Sequence, residues 1–206
     1  MTFKPEALIF DFDGVLADTE PLFWRAWEHI LSSHNITLSW DEYCGLGRGV
    51  KDEIMLSCLL QLRGAPSLYS HLVGQIDTAR KCVQDWIEQS PPIPAATVAM
   101  IHGLSRFRIG LVTSSRRAEV EPVLRKAEIL TCFDAIVTAD DTILHKPDPE
   151  PYLLATKLLG LDQGIAFEDS EPGLLSAAAA GLIPIRVDDP LSLPQIVRAN
   201  LATFLC

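Results

Sequence analysis

Ala7-Leu8-Ile9-Phe10 is an unbroken apolar run that stops at Asp11. A short run without polar alternation reads as a strand buried on both faces, the habit of a parallel sheet. The pattern returns at Ile109-Gly110-Leu111-Val112, Ala135-Ile136-Val137, Ile165-Ala166-Phe167 and Ile183-Pro184-Ile185-Arg186-Val187. Helical spacing fills the gaps over residues 116–127, 149–159, 172–180 and 193–201. Strand and helix therefore alternate through the second half of the chain. This predicts an open α/β fold, a Rossmann-like parallel sheet of five strands or more.

The segment between the first two strands behaves differently. Amphipathic helical stretches cover 21–34, 50–62 and 68–89, and no strand pattern interrupts them. Pro91-Pro92-Ile93-Pro94 then ends the helical run, because proline lacks the donor a helix needs. The expected organisation is an α/β core formed by 1–16 and 92–206, with 17–91 inserted as an α-helical cap domain.

A chain of 206 residues suits one large domain carrying such an insertion. The net charge of −10 argues against a nucleic-acid or anionic-membrane partner, since both favour a basic surface. No apolar run reaches the roughly 18 residues of a membrane span. Met1 to Glu6 carry no leader pattern. The five cysteines (Cys44, Cys58, Cys82, Cys132, Cys206) are odd in number and form no C-x-x-C pair. They read as reduced thiols, and the expected location is cytoplasmic.

Four polar clusters follow strands, where open α/β sheets bind ligands. Asp11-Phe12-Asp13-Gly14 places two carboxylates two residues apart, so an extended chain turns both to one side. Thr113-Ser114-Ser115 offers hydroxyls and N–H groups at a helix start, an anion seat. His145-Lys146-Pro147-Asp148-Pro149 fixes an ammonium before a proline-led helix. Glu168-Asp169-Ser170 ends a buried strand with two more acids. Each cluster alone also fits an ordinary Asx turn or helix cap. Together they do not. Two unit charges about 4 Å apart repel by about 4 kcal/mol at an effective dielectric near 20, so converging carboxylates call for a cation. Hard oxygen ligands with open positions suit Mg²⁺.

These motifs, in this order, resemble the haloacid dehalogenase superfamily of phosphotransferases: Asp11-Phe12-Asp13-Gly14-Val15, Val112-Thr113-Ser114-Ser115, Lys146-Pro147-Asp148-Pro149 and Glu168-Asp169-Ser170. The similarity spans nearly the whole chain, and the insertion resembles the family's helical cap. Within the superfamily the chain is similar to the branch of phosphoglycolate phosphatases, CbbY-type sugar-bisphosphate phosphatases and β-phosphoglucomutase. The resemblance implies a central first strand, with the next two strands on one side and the last two on the other.

The resemblance also implies roles. Asp11 would be the nucleophile that forms an aspartyl-phosphate. Asp13 would be general acid, then base. Thr113 and Ser114 would bind phosphoryl oxygens, and Lys146 would bind phosphate and neutralise charge in the transition state. Asp11, Asp169 and the main-chain carbonyl of Asp13 would bind Mg²⁺, with Glu168 binding or orienting it. In the cap, Glu20 and Arg48 are the candidates to face the substrate, with Phe23 and Lys51 beside them. The expected activity is Mg²⁺-dependent hydrolysis of a small phosphorylated metabolite, a sugar phosphate or phosphoglycolate, by a monomer. A mutase is the alternative. Phe23 stands where mutase caps of this branch commonly carry a histidine, and Val50 stands where they carry an arginine. Both departures favour the phosphatase over the mutase. A non-catalytic binding protein on the same fold is disfavoured, because Asp11, Asp13, Thr113, Lys146 and Asp169 are all present.

Overall fold

The computed structural model describes residues 5–47, 50–161 and 163–205, with side chains to residue 202. The chain begins with β1 (Ala7–Phe10), α1 (Glu20–Ser32), α2 (Trp40–Leu46), α3 (Asp52–Leu62), α4 (Tyr69–Val73) and α5 (Ile76–Gln89). It continues with α6 (Ala95–Gly103), β2 (Arg108–Val112), α7 (Arg117–Lys126), β3 (Ala135–Val137) and α8 (Glu150–Leu159). The last elements are β4 (Gly164–Glu168), α9 (Glu171–Ala179), β5 (Ile183–Arg186) and α10 (Leu193–Leu205). Two compact units result: Met1–Asp18 with Pro91–Cys206, and Thr19–Ser90.

The first unit is built on a five-stranded sheet in the order β3-β2-β1-β4-β5, every pairing parallel. This is the order the family resemblance implies. The central strand β1 is buried along its whole length, as an apolar run with helices on both faces of the sheet requires. On one face Ile9, Val112, Val137 and Ala166 pack with Tyr152, Ala155 and Leu159 of α8 and Ala177 of α9. On the other, Phe10 stacks on Phe167 at 5.0 Å between ring centroids. The small Ala166 and Ala177 let α9 approach the sheet. Where the chain leaves and rejoins this unit, the Asp18 N–H donates to the Pro92 carbonyl at 2.8 Å.

The regular elements described in the second unit are all helices. Its core gathers Ala26, Trp27 and Leu31 of α1, Met55, Leu56, Leu59 and Leu60 of α3, and Ala79 and Val83 of α5. Two features of this unit depart from the sequence expectation, as does α6 of the first unit, where no helix was anticipated. Helix α2 was not anticipated; it is short, but Ser39 and Glu42 form a reciprocal capping box that holds its start. The expected helix over 68–89 is broken into α4 and α5 at Gly74-Gln75, where the Gln75 N–H turns back to the Leu72 carbonyl. Glycine weakens a helix at such a point because it has more backbone freedom to lose.

Candidate active site

Parallel pairing brings the carboxyl ends of the central strands together. Phe10 lies opposite both Leu111 of β2 and Phe167 of β4. The next residues continue the ladder: the Asp11 N–H donates to the Phe167 carbonyl at 3.0 Å, and the Thr113 N–H to the Val137 carbonyl at 3.0 Å. The sheet itself therefore fixes where Asp11, Thr113 and Glu168 emerge. Oxygens of Asp11, Glu168 and Asp169 come within 4.8 Å of one another.

Lys146 joins this group from the loop before α8. Its Nζ donates to Asp11 Oδ1 and to the Val112 carbonyl, each at 3.0 Å, and to Glu168 Oε1 at short range. Three donors thus meet three acceptors, and the side chain is only 6% exposed. Glu168 is fully buried. Its Oε1 also accepts from the Tyr152 hydroxyl at 2.6 Å, and its Oε2 from Ser170 Oγ at 3.2 Å. Gly173 is required beside it, since a β-carbon there would collide with the Glu168 carboxyl.

Asp13 lies in a tight turn. The N–H groups of Leu16 and Ala17 both donate to the Phe12 carbonyl, and Gly14 takes φ +71°, open to glycine and strained for other residues. A β-carbon on Gly14 would also run into the Asp169 carboxyl. Asp13 Oδ2 accepts from Ser115 Oγ at 2.7 Å, across 102 residues of sequence. Thr113 is buried and its Oγ1 accepts from the Ser115 N–H at 3.0 Å, whereas Ser114 is exposed.

The helical unit holds the other candidates. Glu20, at the start of α1, accepts from the Tyr43 hydroxyl at 2.7 Å. Both line a cavity of about 450 Å³, together with Phe23, Lys51, Asp52 and Arg80. Arg48 lies outside the described residues. Two participants were not singled out from sequence: Tyr43 and Tyr152. Tyr152 carried a signal, because it shares the inward face of α8 with Ala155 and Leu159, and a buried hydroxyl needs a partner.

Residues 8–187 match the family of haloacid dehalogenase-like hydrolases. The chain belongs to that family. This hydrolase is 31% identical to fructose-1-phosphate phosphatase of Escherichia coli over 185 residues, which cover 87% of the chain and 95% of the relative. It is likewise 31% identical to β-phosphoglucomutase of Bacillus subtilis over 190 residues, covering 88% and 83%. The crystal structure of a hydrolase from Streptococcus pneumoniae shares the fold, with a TM-score of 0.74 at 22% identity over 95% of this chain and 100% of that one.

The hydrolase's site is electrostatically crowded. Burial raises the Asp11 carboxyl well above its ordinary value; Lys146 pulls it down, and Glu168, Asp169 and Asp13 push it further up. Burial opposes the charge on Lys146, but Asp11 and Glu168 outweigh it and raise the ammonium above its usual range. The Lys146 ammonium thus pairs with two carboxylates, while two more, Asp169 and Asp13, act on Asp11. The donor set fits a hard divalent cation: buried carboxylate oxygens converge, and the missing β-carbon of Gly14 leaves room for the Asp169 carboxyl.

Proposed function

We propose that the protein is a phosphatase that hydrolyses a small sugar or polyol phosphate through an aspartyl-phosphate on Asp11. The observation that carries this reading is the buried clasp of Lys146 on Asp11, beside Glu168 and Asp169 at the carboxyl end of the sheet.

In the first step an Asp11 oxygen attacks phosphorus. The bond from phosphorus to the leaving oxygen breaks, and Asp13 gives that oxygen a proton. In the second, Asp13 takes a proton from water, the hydroxyl oxygen bonds to phosphorus, and Asp11 is released. Thr113, Ser114 and adjacent N–H groups bind phosphoryl oxygens at the head of the loop to α7. Lys146 spreads its charge over Asp11 and the transferring group, while Glu168, held by Tyr152 and Ser170, keeps that ammonium in place. Asp11, Asp169 and the Asp13 carbonyl would hold Mg²⁺, whose charge lets a carboxylate and a phosphate approach each other.

The helical unit 19–90 serves as the cap that reads the leaving group, with Glu20 and Arg48 as its polar contacts. Phe23, at the position where mutase caps of this branch commonly carry a histidine, favours hydrolysis over mutase chemistry. The protein acts as a monomer, and its scattered cysteines fit a reducing cytoplasm.

The test is release of inorganic phosphate from a panel of sugar phosphates, polyol phosphates and phosphoglycolate in the presence of Mg²⁺. Release by wild type and not by Asp11→Asn supports the phosphatase. Isomer conversion without free phosphate supports the mutase, and no turnover of any ester removes both.

A further inference from the structure

We propose that Ser115 is a positioning residue for Asp13: its hydroxyl ties one oxygen of that carboxyl and so sets which oxygen carries the proton to the leaving group. The inference rests on the phosphatase reading above, in which Asp13 is the general acid.

The geometry begins with the 2.7 Å bond from Ser115 Oγ to Asp13 Oδ2. A serine hydroxyl on a mobile loop would orient nothing. Ser115 is held at three points instead. Its N–H donates to Thr113 Oγ1 at 3.0 Å, its carbonyl accepts from the Ala139 N–H at 3.0 Å, and its hydroxyl reaches Asp13. The loop that supplies Ala139 is braced in turn. Asp141 Oδ2 accepts from the Thr138 N–H and hydroxyl, each at 2.7 Å, and from Arg117 at 2.7 Å. Arg117 also donates to the Ile136 carbonyl at 3.1 Å, on β3. The Arg117 backbone N–H donates to Asp140 at 2.9 Å. The loops after β2 and β3 therefore form one frame, and Ser115 is the point at which that frame reaches Asp13.

A carboxyl that donates a proton must present one particular oxygen. The Ser115 hydroxyl donates into Oδ2, so the proton to be transferred belongs on Oδ1. When the bond from phosphorus to the leaving oxygen breaks, that proton moves to the leaving oxygen and Asp13 becomes a carboxylate. Loss of the hydroxyl removes this tie on the carboxyl, and a misplacement near 1 Å can cost about 10²-fold in rate. The loss depends on the leaving group. An alkyl oxygen needs the proton. A p-nitrophenolate leaves readily without one.

The experiment compares Ser115→Ala, Ser115→Thr and Asp13→Asn on two esters: fructose 1-phosphate and p-nitrophenyl phosphate, both with Mg²⁺. The expected result for Ser115→Ala is a fall of about 10- to 100-fold in kcat on the sugar phosphate, little change in KM, and a much smaller fall on the aryl ester. Ser115→Thr keeps a hydroxyl and restores most of the sugar-phosphate rate. Equal falls on both esters, or a loss confined to KM, overturn the inference while leaving the phosphatase reading intact, as does failure of Ser115→Thr to restore the rate. An Asp13→Asn variant with undiminished sugar-phosphate turnover, or a wild type that turns over neither ester, overturns that reading and the inference with it.

Discussion

Lys146 Nζ lies 3.0 Å from Asp11 Oδ1 although 135 residues separate them. The contact exists because β1 is central and the loop before α8 folds over its end. Lys146→Met removes the ammonium and leaves Asp11 and Glu168 buried without it. Breaking a buried pair costs about 3–5 kcal/mol of stability, and loss of one such electrostatic group costs roughly 10²–10³ in kcat. Lys146→Arg is not expected to restore activity, since a planar guanidinium does not fit a site that saturates three donors at a point. Thermal melts and phosphate release read both effects.

Asp11 has a carboxyl raised above its ordinary value of 3.8, by burial first and by neighbouring carboxylates after it. An acid raised on folding contributes most below its unfolded pKa, and that contribution is lost as pH rises through the folded value. The metal-free protein therefore loses stability from this group on going towards neutral pH. Mg²⁺ favours the ionised form, so its stabilisation is expected to grow with pH. At about 100 times its dissociation constant a ligand adds about 2.7 kcal/mol. Melts from pH 5 to 8, with Mg²⁺ and with chelator, measure this. A shift that is absent, or that shrinks with pH, counts against a metal at these residues. Metal-free Asp11→Asn is expected to show a shallower loss than wild type over the same range.

Glu168 is held by Tyr152 from beneath. Tyr152→Phe removes one bond to a charged acceptor and is expected to cost about 1.5–3 kcal/mol. Lys146 keeps its other partners, so kcat should fall far less than in Lys146→Met. Gly173→Ala should be worse than its size suggests, because the added methyl meets the buried Glu168 carboxyl, which has nowhere to go. The pair of variants, compared by melting temperature and kcat, separates loss of a bond from displacement of the carboxyl.

Tyr43 and Glu20 form the polar contact of the helical unit's cavity. Burial and then Glu20 push the Tyr43 phenol up, so it stays a donor throughout the working pH range. Tyr43→Phe is expected to raise KM for a sugar phosphate several-fold with a smaller change in kcat. An unchanged KM would separate Glu20 from substrate recognition.

Glu42 is pulled down to about 2, first by its hydrogen bond from Arg63 and then by Ser39. A depressed acid stabilises above its unfolded value near 4.5 and loses that contribution as pH falls towards 2. The pair is exposed to solvent, so the effect is small. The difference in melting temperature between wild type and Glu42→Gln should narrow steadily from pH 5 to pH 2.

The sheet and its polar clusters were legible along the chain because buried parallel strands leave continuous apolar runs, as at Ala7–Phe10, and each run ends where the backbone must turn. The four clusters in order were enough to indicate the family. Helix α2 was not legible from hydrophobic spacing, since seven residues hold too little period, although Ser39 and Glu42 carried a capping signal. What only the tertiary structure decided was pairing across distance. It is the fold that puts the Ser115 hydroxyl on Asp13, Tyr152 under Glu168 and Tyr43 on Glu20. Local sequence constrains backbone habit through propensity and periodicity. A hydrogen bond between side chains 16 to 102 residues apart depends on where separate elements are brought by packing, and no local pattern encodes that.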